Sequence, residues 1–409
     1  MPKTMGVGLA GLIVYSAVFS HDGSQILTIS GYKTARLWDT KGNLLAEFPL
    51  GHEKAVNSAE FSPDGRQILT ISGYKTARLW DIKGNLLVVF RGHKERIKRA
   101  IFSPDGRQIL TTSLDKTVRL WDIKGNLLAE FRGHEEIVTS AVFSPDGSQI
   151  LTASYDGTAR VWDSKGNLLA ALRGHDIERG VRSAVFSPDG RQLLTASEDG
   201  TARLWDLSVA LAAQAEQITA RETFQESVSK NNAQLAELRD DKYRVRSAVF
   251  SPDGRQILTT SELTVRLWDT KGNLLAQLPR HDYLQSAVFS PDGRQILTAT
   301  DETVRLWDNK GNLLTEFQGH EKSSVESAVF SPDGRQILTA SLDKTACLWD
   351  TQGNLLTVFR GHESGVRSAV FSPDGSQILT ASLLDKTACL WDTQGNLLTV
   401  FRGHESGVR

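Results

Sequence analysis

The chain of 409 residues contains only two cysteines and two methionines, and its 47 basic side chains nearly cancel its 48 acidic ones. Two cysteines cannot build a disulfide framework. Cys347 and Cys389 each sit in the phrase Thr-Ala-Cys-Leu-Trp-Asp, where other copies carry arginine, so they read as one duplicated core-strand position. A formal net charge of −1 supplies no basic excess for a nonspecific nucleic-acid footprint. No run of 18 apolar residues occurs, which excludes an obvious membrane-spanning helix. Residues 1–15 are apolar after a single lysine. They show no small-x-small cleavage site and run into Ser16-Ala17-Val18-Phe19, a phrase that recurs later, so they read as a lead-in to the first repeat.

Chemistry-bearing motifs are also scarce. There is no GxxxxGK[ST] loop, no strand-to-helix GxGxxG and no DxDxDG loop. Seven of the nine histidines follow glycine in one repeated joint, His281 takes the same place after Arg280, and His21 stands in a turn. None has the spacing of a metal cluster or of a nucleophile's base, so neither catalysis, a metal nor a cofactor is expected.

What is present is repetition. Tryptophan occurs at 38, 80, 121, 162, 205, 268, 307, 349 and 391, each followed by aspartate, in steps of 39 to 43 residues except for one of 63. A period near 41 with Trp-Asp at a fixed place is the mark of a four-stranded propeller blade. In the third copy, residues 99–103 read as a first strand and Pro104-Asp105-Gly106 as a tight turn. Residues 108–113 then read as a β-branched second strand, 117–122 as a third and 127–131 as a fourth, with turns between them. Apolar or small residues lie on both faces, as in a sheet packed on each side by another. The expectation is an all-β chain: one β-propeller of about nine four-stranded antiparallel blades over residues 16–409, with eight blades as the alternative count.

The phrase GH…SPDG…TASxDxT…LWD resembles the WD-repeat family, in the manner of bacterial tandem arrays. That resemblance implies a hydrogen-bonded tetrad per blade, made of the joint histidine, a second-strand serine, the next turn's aspartate and the tryptophan. Carried over, it takes His93, Ser113, Asp115 and Trp121 in blade 3, and His134, Ser154, Asp156 and Trp162 in blade 4. Blade 5 takes His175, Ser197, Asp199 and Trp205. Blade 8 takes His320, Ser341, Asp343 and Trp349, and blade 9 His362, Ser382, Asp385 and Trp391. Tyr32 and Tyr74 replace the aspartate in copies 1 and 2, and copies 6 and 7 have shortened turns, so blade 6 is expected to be the softest.

The 63-residue step hides an insertion. Residues 207–232 replace a three-residue turn between the third and fourth strands of blade 5, lack glycine and proline, and read as helical. At the other end, Gly403-His404 could complete blade 1 if the array closes tail to head.

The resemblance also implies that the joint and second-turn loops share a rim that receives partners. The first-strand positions facing it vary while the core phrases stay constant. Tyr15, Lys98, Arg182, Arg246 and Arg367 stand there, with Arg96, Arg244, Tyr155 and Tyr283 nearby, and arginine and tyrosine are favoured interface anchors. The expectation is a non-catalytic, monomeric, cytoplasmic scaffold or recognition module for a protein partner with an acidic or phosphorylated segment. Two alternatives stay open: the detached sensor portion of a longer signalling protein, and nucleic-acid binding through a basic rim.

Overall fold

The computed structural model describes residues 17–29, 34–49, 56–72, 75–213, 233–239, 244–279, 283–320, 323–382 and 384–402. They form nine four-stranded antiparallel sheets, each built from one contiguous stretch of chain with its strands in sequential order. These are the nine blades of a β-propeller fold, spanning residues 17–49, 56–91, 97–131, 138–172, 181–239, 247–277, 284–317, 325–360 and 366–401. The alternative of eight falls away. The chain divides into two compact units, one holding blades 1, 2, 7, 8 and 9, the other blades 3 to 6.

Blade 3 shows why the sequence folds this way. Its strands are Ile97–Phe102, Gln108–Ser113, Val118–Asp122 and Leu127–Phe131. The first begins two residues earlier than composition alone suggests. In the first turn, the Ser103 amide donates to the Gln108 carbonyl and the Gly106 amide to the Ser103 carbonyl (both 2.9 Å). Gly106 sits at φ 71°, a conformation that costs a side-chain-bearing residue energy, and Pro104 presets the corner before it. The aspartate of Trp-Asp closes the other turn. Asp122 accepts from the Lys124 and Asn126 amides (2.9 and 2.8 Å) and from Asn126 Nδ2 (2.7 Å). The second strand is buried along almost its whole length, as expected for a sheet covered on both faces.

Blades stack through a repeated set of contacts. Between blades 3 and 4, Phe131 meets Trp162 edge-on with ring centroids 5.6 Å apart. In the five-blade unit, Phe317–Trp349 and Phe359–Trp391 repeat it at 5.6 and 5.7 Å. In that same unit the last blade packs on the first. Trp38 lies 5.4 Å from Phe401, within a buried cluster that also holds Ala17, Ile26, Leu379 and Leu390. The hydroxyl of Thr399 reaches the Thr40 carbonyl (3.5 Å), as Thr315 and Thr357 reach Thr351 and Thr393. His404 and Ser30 lie outside the described residues.

The fourth strand of blade 5, Gln234–Arg239, pairs with Thr201–Asp206 in the register used elsewhere, Trp205 opposite Gln234. Residues 207–213 are helical. Asp206 caps this helix, accepting from the Ser208 hydroxyl (2.6 Å) and the Val209 amide (3.0 Å). Leu207, Ala210 and Leu211 pack onto the core shared by blades 4 and 5. Residues 214–232 of the expected insertion lie outside the described residues.

Candidate functional site

Each blade brings its polar side chains to the joint end, and they divide into an inner network and a surface. In blade 4 the Trp162 indole N–H donates to Thr152 Oγ1 (2.9 Å). Thr152 in turn bonds His134 Nε2 (2.8 Å), and His134 Nδ1 meets Asp156 Oδ2 (2.7 Å). Since the carboxylate only accepts, Nδ1 carries a proton, and in the neutral ring Nε2 accepts from the threonine. Asp156 also accepts from the Thr158 hydroxyl and amide (2.7 and 2.9 Å). Blades 3, 5, 8 and 9 repeat the chain through Thr111, Thr195, Thr339 and Thr380.

The second-strand residue expected in this network is therefore corrected. Threonine, not serine, joins the tryptophan to the histidine. Ser113, Ser154, Ser197 and Ser341 lie two residues further on and bond the carbonyls of Glu95, Glu136, Gly180 and Ser323 in the incoming joint. They also accept the backbone N–H of Asp115, Asp156, Asp199 and Asp343. Ser382 is buried with no partner for its hydroxyl. Both hydroxyls of Thr-x-Ser point to one face of the strand, so alternation alone could not choose between them. The available signal was that the threonine occurs in all nine copies, whereas the serine becomes Thr300 in copy 7.

Electrostatics favour a neutral ring in blades 3 and 4, whereas in blade 9 burial is outweighed by Asp385 and Cys389, which raise His362 to about 9. Burial lowers the pKa of His93 and His134 against the pull of their aspartates. Burial alone would raise Asp115, yet bonds from Thr117, the Lys94 amide and His93 bring it down to about 2. With every hydrogen-bonding atom engaged, this network is an internal brace. The tryptophan–threonine bond persists in blades 1, 2, 6 and 7 at 2.8 to 2.9 Å. In blades 6 and 7 the shortened turns close on themselves, through Ser261–Thr264 (2.6 Å) and Thr300–Thr303 (3.0 Å). Tyr32, Tyr74, Asp240, Asp241 and His281 lie outside the described residues.

The surface is less uniform. In the four-blade unit, Arg182 Nε and Arg244 Nη1 grip opposite oxygens of Glu198 (2.7 and 2.9 Å). Arg246 reaches Glu262 (2.8 Å). In the five-blade unit, Arg367 reaches Glu326 (2.8 Å), and Tyr283 is 74% exposed with φ 51°. These arginines are thus paired with carboxylates, Arg182 and Arg244 sharing one. Arg96 and Lys98 differ, since no described carboxylate pairs with either and both are exposed. The ammonium of Lys98 is held below the ordinary lysine value, first by desolvation and then by Arg182 and Arg96. Tyr155 is half-buried against Gly180, and Tyr15 lies outside the described residues.

Cys347 and Cys389 are buried, and burial pushes the Cys347 thiol up to about 11, so it stays protonated. No helix among the described residues is long and apolar enough to cross a membrane.

Nine blades, five of them with a complete brace of tryptophan, threonine, histidine and aspartate among the described residues, define a propeller of the WD-repeat type. Residues 233–269, 272–308, 311–350 and 353–392 match the model of the WD domain, G-beta repeat. Residues 13–240, more than half of the chain, match the model described as IFT122 first beta-propeller, and the chain belongs to that β-propeller family. No curated protein matches it.

Proposed function

We propose that this propeller is a non-catalytic interaction module that holds an acidic or phosphorylated segment of a protein partner at the joint-side mouth of its four-blade unit. The observation that carries this reading is the cation excess there. Five cations, Arg96, Lys98, Arg182, Arg244 and Arg246, face two carboxylates, Glu198 and Glu262. An uncompensated, partly desolvated ammonium is worth more to an incoming anion than one already paired in water. The braced blades hold these groups in place before binding, which lowers the ordering cost of association. The titratable side chains with other structural duties, the joint histidines and turn aspartates, are occupied within the fold, which supports a binding role over a catalytic one. The scarcity of cysteine favours a reducing compartment such as the cytoplasm.

The test is affinity capture from native lysate with wild type and the double variant Arg96→Glu/Lys98→Glu. A partner held by wild type and released by the folded variant supports the site, and loss after phosphatase treatment would identify phosphate as the anion. A partner held equally by both would move the site elsewhere. Nucleic acid as the captured species would be revealed by sensitivity to nuclease and a steep fall in affinity with salt.

A further inference from the structure

The joint leading into blade 5 is two residues longer than the one leading into blade 4: five residues, Asp176-Ile177-Glu178-Arg179-Gly180, separate His175 from the first-strand Val181. The extra length is folded into a tight turn. The Asp176 carbonyl accepts from the Arg179 and Gly180 amides (3.1 and 3.2 Å), its carboxylate from the Glu178 amide (2.9 Å), and its own amide bonds Asp199 (3.0 Å). The turn therefore hangs directly on the blade 5 brace. At its tip Ile177 is 74% exposed.

Single exposed aliphatic residues are ordinary on protein surfaces. Ile177 differs in being held in place and in what adjoins it. A methyl group on Gly157 would lie 2.7 Å from the Ile177 Cα, and one on Gly180 would lie 2.7 Å from both the Tyr155 Cα and its ring. Both glycines sit at positive φ, so the chain closes tightly here only because they lack side chains. Ile177 and Tyr155 thus flank one ridge. The Gly180 carbonyl takes the Ser197 hydroxyl (2.7 Å) and the Glu198 amide (3.3 Å), and the Glu198 carboxylate holds Arg182 and Arg244. An apolar tip, a half-buried aromatic ring and the Arg182–Glu198–Arg244 cluster lie along one continuous set of contacts within one unit, and, after desolvation, Arg182 is among the cations that hold Lys98 below the ordinary lysine value.

We infer that the segment bound at this mouth is an extended acidic peptide carrying one bulky aliphatic residue, which seats on the Ile177–Tyr155 ridge while its carboxylates meet Lys98, Arg96 and Arg182. This rests on the acidic-segment reading above and narrows it. Charge alone would accept any polyanion; the ridge adds a requirement that a uniform acidic chain, a free phosphate or a nucleic-acid backbone does not meet. Burying one leucine on such a ridge strengthens binding by about tenfold.

The experiment uses the full chain and two sets of fluorescein-labelled peptides: an eight-residue Asp/Glu alternation, and the same peptide with leucine at each central position in turn. Fluorescence anisotropy is read against protein concentration. The expected result is that at least one leucine peptide binds about tenfold tighter than the all-acidic one. Ile177→Ser should abolish that advantage and leave the all-acidic peptide's affinity unchanged, while Ile177→Leu should keep it. Arg96→Glu/Lys98→Glu should weaken both peptides. Equal binding of the two peptide types, or an advantage that survives Ile177→Ser, overturns the inference while the acidic reading stands. If neither peptide type binds, the acidic reading itself fails and takes the inference with it.

Discussion

Blades 3 and 9 carry the same internal brace with different flanks. In both, histidine bridges threonine and aspartate: His93 at 2.9 Å from each, His362 at 2.8 and 2.9 Å. Beside the brace, blade 3 places Arg119 on its third strand opposite Glu130 on its fourth, joined at 3.0 Å. Blade 9 places Cys389 opposite Val400, and blade 8 Cys347 opposite Val358. The two positions have changed together, from an ion pair to an apolar pair, without disturbing the brace. The neighbouring glycine shows the consequence. A methyl group on Gly92 would collide with the Arg119 guanidinium, whereas one on Gly361 would meet the Trp391 ring. The arginine lies over the joint glycine where it is present, and the tryptophan edge lies there where it is not. The brace is thus the element that these two blades hold in common, and the third-strand flank is where they differ.

The sharpest way to break that comparison is to cut the brace at its centre. Thr152→Val keeps the shape of the side chain but removes the oxygen shared by Trp162 Nε1 and His134 Nε2. Two buried polar groups then lose partners, at about 4 kcal/mol in all. Urea denaturation, read by circular dichroism, should show a correspondingly lower midpoint. A loss under about 1 kcal/mol would mean the brace is ornamental.

A smaller effect tests the co-substitution. Cys389→Arg places a cation opposite Val400 at a site that is 2% exposed, and should cost about 3 kcal/mol. Adding Val400→Glu should recover more than about 1 kcal/mol of that loss, because the pair of blade 3 is then rebuilt. Simple additivity of the two losses would show that the flanks of blades 3 and 9 are not interchangeable.

How far the sequence alone reaches is visible in the same residues. Blade number and strand order follow from the tryptophan spacing, since a 41-residue unit with both faces apolar has one way to bury them. The serine–threonine exchange was hidden because two hydroxyls on one face of a strand are equivalent to any periodicity argument. The neutralising roles of Glu198, Glu262 and Glu326 were hidden for a different reason. They come from turns or neighbouring blades 16 to 41 residues away, and no local pattern ties them to Arg182, Arg246 and Arg367. Arg96 and Lys98 were visible as cations, but their want of a counter-charge emerges only once the paired arginines are set aside.

Acidity provides a third test, acting on the braces of blades 3 and 4. Folding depresses the pKa of His93 and His134 below the unfolded value, so the folded state binds fewer protons than the unfolded one. Their contribution is fully present above about pH 6.5 and is lost as the pH falls through the folded values. Asp115, also depressed, adds a further loss between about pH 4 and pH 2. The urea midpoint should therefore drop between pH 7.5 and pH 5.5, and Thr152→Val, with its blade 4 brace already cut, should show a shallower drop. A midpoint that holds steady over that range would contradict neutral histidines in the brace.

The smallest effect separates the two serines. Ser113 donates to the Glu95 carbonyl (3.0 Å) and accepts the Asp115 amide (3.1 Å), so Ser113→Ala should cost about 1 kcal/mol. Ser382 is fully buried and its hydroxyl has no partner, and the sequence between it and Trp391 is one residue longer than the matching stretch of blade 8. Removing an unsatisfied hydroxyl removes a desolvation penalty along with it, so Ser382→Ala should leave the urea midpoint unchanged or raise it. Equal losses at the two positions would mean that Ser382 does make the bond of its counterparts, and that blade 9 differs from blade 3 only on its third-strand flank.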